Sequence, residues 1–109
     1  MANEKAFENR IKQFLKNERC WYVKYWGGGV YTKSGIPDIL ACIGGKFVGI
    51  EVKAESGKVA PLQLYNRDKI RESGGISLIL YPSQFEEFKT MVYKLKNDSY
   101  TGNGKEFDR

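Results

Sequence analysis

Apolar residues follow two different spacings along the chain, and these spacings separate predicted helices from predicted strands. Helical spacing occurs in two stripes, one toward each end of the chain. The stripes contain Phe7, Ile11, Phe14 and Leu15 within residues 4–18, and Phe85, Phe88, Met91, Val92 and Leu95 after Ser83. Runs rich in β-branched and aromatic residues, which are typical of strands, lie at 20–26, within 37–53 and at 76–81. A further helix is predicted over residues 61–73, because Pro61 suits a first helical turn and two glycines follow the segment.

The predicted order is helix, three strands, helix, strand, helix, which indicates an α/β fold. A strand, a crossover helix and a second strand form a right-handed βαβ unit, so the last strand is expected to join the same sheet. Ser83 and Glu86 fit a capping box at the start of the last helix. Residues 1–96 are interpreted as a single domain, and the polar residues 97–109 as a flexible tail.

The stretch 37–53 is predicted to form a β-hairpin, because the glycine pair at its centre supplies the positive φ angles of a two-residue turn. That turn places Asp38 opposite Glu51, and like charges directly opposite each other destabilise a sheet. Side chains alternate along a strand, so Lys53 is expected on the same face as Glu51. Three interpretations stay open: a divalent cation binds between the acids, Lys53 neutralises a solvated acidic pair, or a bulge separates the acids.

Composition narrows the chemistry that the chain can perform. It has 109 residues, no histidine and a net charge of +5. The absence of histidine excludes a Ser-His-Asp triad and His-ligated zinc, and leaves carboxylate and lysine chemistry. Residues 1–54 hold 9 basic and 5 acidic residues, whereas residues 55–109 hold 9 and 8. The positive surplus therefore accompanies the hairpin, as expected for a site that holds a polyanion.

The hairpin and its neighbours also resemble a known family. Gly35-Ile36-Pro37-Asp38, Glu51-Val52-Lys53 and Gln63 resemble the signature of PD-(D/E)xK nucleases in the form of VRR-NUC domains, the virus-type replication and repair nucleases. The resemblance covers about residues 4–81. It implies a restriction-endonuclease-like core of order αβββαβα with a mixed four-stranded sheet. It also implies a Mg²⁺-dependent endodeoxyribonuclease in which Mn²⁺ can substitute.

The resemblance assigns expected roles to individual residues. The expected catalytic residues are Asp38, Glu51, Lys53 and Gln63. The expected metal ligands are Asp38, Glu51, the carbonyl of Val52 and an acid of the first helix, for which Glu8 is the candidate and Glu4 the alternative. On residue type alone, an exposed helix acid and an ordinary helix glutamine are equally simple interpretations of Glu8 and Gln63.

Polar residues near the hairpin are candidates for contacts with DNA phosphates. The candidates are Lys24, Lys33, Ser34 and Lys58. Lys33 and Ser34 belong to the glycine-rich segment 27–36, which is interpreted as a flexible DNA-facing loop, with a plain connector as the alternative. The aromatic residues of 20–26 are expected to pack in the core or on the sheet rather than to stack on bases.

Stand-alone domains of this kind resemble Holliday-junction resolvases, which implies a homodimer that cuts branched DNA during repair. The alternatives are a sequence-specific or non-specific duplex nuclease, a non-catalytic nucleic-acid-binding module, and a structural partner that assembles through its last helix. The chain shows no signal peptide and no long apolar run, so we expect it in the cytoplasm of a bacterial or phage-infected cell, away from membranes.

Overall fold

The structure, a computed structural model, describes residues 3–29 and 32–109, which form three α-helices and four β-strands. The helices are α1 (Glu4–Asn17), α2 (Pro61–Glu72) and α3 (Phe85–Lys96), and the strands are β1 (Trp21–Lys24), β2 (Ile39–Ile43), β3 (Lys46–Val52) and β4 (Ile76–Leu80). Two short 3-10 turns lie at Pro82–Gln84 and Lys105–Phe107. The predicted order αβββαβα is confirmed. None of the described helices is long and apolar enough to cross a lipid bilayer.

The four strands form one mixed sheet, as predicted, and their order in it is β1-β2-β3-β4. β1 and β2 pair antiparallel, as do β2 and β3, whereas β3 and β4 pair parallel through the crossover helix α2. The hairpin register is the predicted one, with Ile39 opposite Ile50 and Ile43 opposite Lys46. Gly44 and Gly45 have φ angles of 58° and 82°. A Cβ on Gly44 would also lie 2.1 Å from the carbonyl oxygen of Leu95, so only glycine fits where α3 passes the turn.

The helices cover the two faces of the sheet unequally. α1 and α3 pack on one face and enclose the apolar core. Burial of each large apolar side chain there stabilises the folded state by about 1.5–3 kcal/mol. The large side chains with almost no exposed area include Phe7, Ile11, Leu15, Ile50, Leu78 and Phe88. α2 packs on the opposite face against β3 and β4 and has no fully buried residue. Gly49 permits this approach, because a Cβ there would lie 3.2 Å from Ile70 of α2.

Part of the sheet face next to α2 is exposed. Trp21, Cys42 and Phe47 are direct cross-strand neighbours in a row across β1, β2 and β3, and all three are exposed. The aromatic residues of 20–26 are expected to pack in the core or on the sheet; Trp21 lies on the sheet beside Cys42, and neither Trp21 nor Trp26 packs in the core, since 62% and 71% of them is exposed. α2 lies over β3 and β4 and leaves the outward face of β1, with Trp21, uncovered. Trp26 follows the end of β1 and lies beside Lys24 and Lys5 on the α1 side.

The segment 97–109 contacts the domain through its second half. Phe107 is 1% exposed and belongs to the core cluster, and Asn103 accepts a backbone hydrogen bond from Ser77 of β4 at 3.1 Å. Asp108 receives two hydrogen bonds from Arg71 of α2. The predicted boundary at residue 96 therefore separates Phe107 from the core in which its ring is buried. The flexibility of the segment stays a prediction.

The start of α3 differs from the predicted capping box. Residues Pro82–Gln84 form a 3-10 turn, and Gln84 is the residue that precedes the first turn of α3. The backbone N–H and Oγ of Ser83 both donate to the carboxylate of Glu55, each at 2.9 Å. Ser83 therefore holds the loop after β3 instead of capping α3, because Glu55 competes successfully for both donors.

Candidate active site

Asp38 and Glu51 meet at the end of the hairpin that lies opposite its glycine turn. Asp38 directly precedes β2 next to the Ile39–Ile50 pair, and Glu51 follows Ile50 on β3. Asp38 Oδ2 accepts a hydrogen bond of 2.8 Å from the backbone N–H of Val52. The backbone of β3 thus holds the Asp38 carboxyl group beside that of Glu51. The predicted pairing of the two acids follows from the register of the sheet.

Lys53 and Gln63 reach Glu51 from the α2 side of the sheet. Lys53 Nζ lies 4.0 Å from Glu51 Oε2, and Gln63 Nε2 donates to the same oxygen at 3.0 Å. Gln63 is in the first turn of α2, where its Oε1 also accepts a hydrogen bond of 2.9 Å from the backbone N–H of Ala60. This second hydrogen bond fixes the amide, so its N–H group points at Glu51. The structure therefore brings together Asp38, Glu51, Lys53 and Gln63, the predicted catalytic residues.

The pair of acids is electrostatically unfavourable when no cation compensates it. Only 6% of Glu51 is exposed. Burial, followed by the charge of Asp38 and a hydrogen bond with Asp38, raises the pKa of Glu51 from 4.5 to about 8, and Lys53 opposes this rise only partly. At neutral pH Glu51 therefore retains a proton that an ordinary glutamate releases. A group with such a displaced pKa inside an acidic cluster is typical of a functional site.

Glu8 and Lys24 meet Asp38 from the α1 side of the sheet. Lys24 Nζ lies 2.7 Å from Glu8 Oε1 and 3.5 Å from Asp38 Oδ1, so its ammonium group bridges the two carboxylates. The second oxygen of Glu8 lies 3.3 Å from Lys12 Nζ and 3.8 Å from Lys5 Nζ. Burial alone would raise the pKa of Glu8, but the contacts with Lys24 and Lys12 lower it overall. Burial alone would lower the pKa of Lys24, and Glu8 and Asp38 together raise it.

The donor set meets the needs of a divalent cation in part. Mg²⁺ in proteins usually takes one or two carboxylates and completes its shell with water or phosphate oxygens, which Asp38 and Glu51 can satisfy. Among the described residues, no group of three or more His, Cys, Asp or Glu side chains is arranged around one point. Glu8 contacts Lys24 instead of the Asp38–Glu51 pair. Among the described residues, Glu8 Oε2 is the one buried side-chain oxygen or nitrogen without a hydrogen-bond partner. The donor chemistry of Asp38 and Glu51 suits a magnesium ion. Glu8 could join them as a ligand only if Lys24 moved.

Among the described contacts, the other predicted residues make no hydrogen bond or ion pair with the two acids, although the charge of Glu4 helps to raise the pKa of Glu51. Glu4 is exposed and lines an open groove with Glu55 and Ser83. Lys33, Ser34 and Lys58 are all exposed. In the segment 27–36, residues 30 and 31 lie outside the described residues, so the interpretation of this loop stays a prediction. The DNA contacts of these residues stay predictions as well.

Three residues of this region were missed by the sequence interpretation. Lys5 and Lys12 are three and four positions from Glu8, the spacing at which helix side chains meet, and this spacing is a signal that was available. Trp26 lies with its ring centroid 5.5 Å from Lys24 Nζ and 5.9 Å from Lys5 Nζ. No local pattern distinguishes this exposed tryptophan from a buried one.

The fold and the site together define a class of protein. An αβββαβα core with Asp38, Glu51 and Lys53 at one end of the hairpin is the arrangement of PD-(D/E)xK-type nucleases. The family model described as archaeal Holliday junction resolvase (Hjc) matches residues 2–99. The chain therefore belongs to the Hjc family, which is a family of nucleases. No curated protein and no solved structure matches the chain significantly.

Proposed function

We propose that the chain is a metal-dependent endodeoxyribonuclease that cuts branched DNA, such as a Holliday junction, as a homodimer. The observation that carries the proposal is the buried Glu51 beside the half-buried Asp38, with Lys53 4.0 Å from Glu51. A protein that only binds DNA has no use for an acid placed opposite the buried Glu51, because like charges opposite each other destabilise its fold. Membership of the Hjc family supports junction DNA as the substrate.

Each residue of the site has a proposed task. Asp38, Glu51 and the carbonyl of Val52 would hold Mg²⁺, or Mn²⁺ in its place. The bound ion would lower the pKa of a water ligand and offset the charge that develops on the phosphate. Lys53 would donate hydrogen bonds to a phosphate oxygen or to the attacking water, a task that suits a compact ammonium group. Gln63 would keep Glu51 in place through its hydrogen bond of 3.0 Å.

The homodimer proposal is supported by the exposed apolar surface next to α2. Trp21, Val23 and Phe47 are exposed on this face of the sheet, and Leu62 and Tyr65 are exposed on α2 itself. Exposed apolar side chains on one side of a molecule are typical of an interaction site, and aromatic residues are enriched at such sites. A two-fold dimer would present two copies of the acidic pair to the two strands of one junction.

The alternatives differ from the proposal in measurable ways. A sequence-specific or non-specific duplex nuclease would use the same acids without a preference for branched DNA. A non-catalytic module would bind DNA in a salt-dependent manner and leave it intact. The narrower assignment to VRR-NUC domains is a further proposal that rests on the sequence motif alone. The cytoplasmic location is a separate proposal, and the Hjc family supports it.

The test compares cleavage of a labelled four-way junction with cleavage of a linear duplex of the same arm sequences, in Mg²⁺ and in Mn²⁺. The Asp38→Ala variant, purified in the same way, is the control for contaminating nucleases. We expect junction-selective cutting by the wild type and none by the variant. Equal cutting of both DNAs would contradict the junction proposal, and binding without cutting would contradict the nuclease proposal. Light scattering that shows only monomers, with and without DNA, would contradict the homodimer.

A further inference from the structure

The inference concerns Lys24 and rests on the proposed function. We propose that Lys24 is the resident counter-ion of the metal-free site: its ammonium group neutralises Glu8 and Asp38, and it leaves them when a divalent cation binds. Lys24 is then a positioning residue that controls whether Glu8 joins the metal site, in addition to its expected contact with DNA phosphate.

The first argument is the contact pattern of Lys24. Its Nζ lies 2.7 Å from Glu8 Oε1 and 3.5 Å from Asp38 Oδ1, and only 19% of the side chain is exposed. One ammonium group therefore occupies the space through which Glu8 would approach the metal held by Asp38. A lysine whose only task is to bind phosphate would extend into solvent.

The second argument is the repulsion between like charges. An ammonium group and a dication a few ångströms apart repel strongly in a partly buried site, where solvent screening is weak. Asp38 contacts Lys24 directly, so a cation that binds to Asp38 comes close to Lys24 unless the lysine moves. Glu8 would meanwhile remain compensated by Lys12, whose Nζ is 3.3 Å from Glu8 Oε2. Departure of Lys24 is therefore tolerated on the α1 side.

The third argument is that the structure offers Lys24 a second position. Its Nζ is already 5.5 Å from the centre of the Trp26 ring, within the distance of a cation–π contact. Trp26 is 71% exposed, so an ammonium group that shifts toward its ring faces solvent beside the acidic pair. There it is placed to meet a DNA phosphate. Metal binding would in this way release a lysine for the substrate.

The test measures metal binding without DNA, so that it does not depend on cleavage. Wild type, Lys24→Met and Lys5→Met are titrated with Mn²⁺ alone by calorimetry at low ionic strength. Lys24→Met should bind Mn²⁺ more tightly by a factor on the order of ten, because the competing charge is gone. Lys5→Met is the matched control: Lys5 also approaches Glu8, but 65% of its side chain is exposed, so its removal should change the affinity less than about twofold. Lys24→Arg keeps the charge and should stay close to wild type.

A second measurement follows the movement itself, and its main signal comes from a protein that keeps Lys24. Trp21→Phe leaves Trp26 as the only tryptophan of the chain. Mg²⁺ should change the emission of Trp26 in this background, and the same titration of Trp21→Phe/Lys24→Met should give no change.

The outcomes separate this inference from the proposed function. Equal or weaker Mn²⁺ binding by Lys24→Met than by wild type overturns the role of Lys24, as does unchanged Trp26 emission, while metal-dependent cleavage by the wild type still supports the nuclease. If neither the wild type nor any variant binds Mn²⁺ or cuts DNA in its presence, the metal-dependent function falls, and the role of Lys24 falls with it.

Discussion

The two sides of the acidic pair solve the same electrostatic problem in different ways. On the α1 side, the buried Glu8 is surrounded by Lys5, Lys12 and Lys24, and the contacts with Lys24 and Lys12 lower its pKa although burial alone would raise it. On the α2 side, Glu51 has Lys53 at 4.0 Å, yet its pKa is raised to about 8. Both acids have little exposed area, so the pKa difference comes from the neighbours: two lysines act on Glu8, whereas the charge of Asp38 acts on Glu51 and Lys53 offsets it only partly.

This difference indicates which side needs a ligand. A compensated carboxylate stabilises the fold as it stands, whereas an uncompensated pair destabilises it until a cation or a proton arrives. The α2 side would thus be the chemical centre, and the α1 side would act as a support whose lysines can be rearranged. Variants on each side of the pair test this contrast, and the largest effect is expected on the α2 side.

Asp38→Ala and Lys53→Ala should each reduce junction cleavage by about a thousandfold or more, because they remove a proposed metal ligand and the proposed donor to the phosphate. The measurement is the initial rate of cutting of a labelled four-way junction in Mg²⁺, with circular dichroism to verify folding. Asp68→Ala removes an exposed acid of α2 and is the matched control. Full activity of Lys53→Ala would show that this lysine has no part in the mechanism. It would also contradict the proposal that the α2 side is the chemical centre.

Glu51 should make the metal-free protein lose stability as the pH rises. Its pKa is raised from 4.5 to about 8 in the folded state, so the folded state binds more protons than the unfolded state between these two values. The free energy of unfolding should therefore fall from about pH 4.5 to about pH 8, by an amount on the order of a few kcal/mol, and level off above.

The measurement is urea unfolding in EDTA across this pH range, for wild type and for Glu51→Gln. The glutamine side chain carries no titrating group, so the variant should lose most of the pH dependence and exceed the wild type in stability near pH 8. Saturating Mg²⁺ should stabilise the wild type most at that pH. Parallel pH profiles of the two proteins would show that Glu51 is compensated after all.

Glu8→Gln should destabilise the metal-free protein by about 2 kcal/mol, because it leaves Lys24 and Lys12 with less compensation in a buried position. Glu4→Gln is the matched control on the same helix, and it should change stability by less than about 0.5 kcal/mol since Glu4 is exposed. Thermal or urea unfolding in EDTA gives both values. Equal effects of the two variants would remove the contrast between Glu8 and an ordinary helix acid.

The fold and the α2 side of the site follow from local signals in the sequence. Two glycines fix the turn, the turn fixes the register, and strand alternation then places Glu51 and Lys53 on one face next to Asp38. Pro61 marks the start of α2, which puts Gln63 in the first turn. Each of these steps uses residues that are close along the chain or are paired by one hairpin.

The α1 side depends on packing that the sequence does not display. Lys24 and Glu8 are 16 positions apart and meet only because α1 lies across the end of β1. Trp26 is exposed because it follows the last residue of the edge strand β1, and no residue pattern within the segment indicates that the strand ends before it. Phe107 is a single apolar residue in a polar segment, so it has no periodicity by which its burial could be predicted.

Gln63→Ala gives the smallest expected effect and tests how the α2 side is held. The variant loses the hydrogen bonds to Glu51 and to the backbone of Ala60, which should lower stability by about 1 kcal/mol and the cleavage rate by about tenfold. Ser73→Ala is the matched control, because it removes one side-chain hydrogen bond, to Lys69, from the opposite end of α2.

The two variants separate the contact with Glu51 from the integrity of the helix. If the hydrogen bond to Glu51 matters, only Gln63→Ala should lose activity, although both variants lose some stability. The loss should appear at saturating junction DNA, because Gln63 acts on the position of Glu51 rather than on binding of the substrate. Equal losses of activity would mean that α2 supports the site as a whole, and that the α2 side, like the α1 side, depends on its scaffold more than on one side chain.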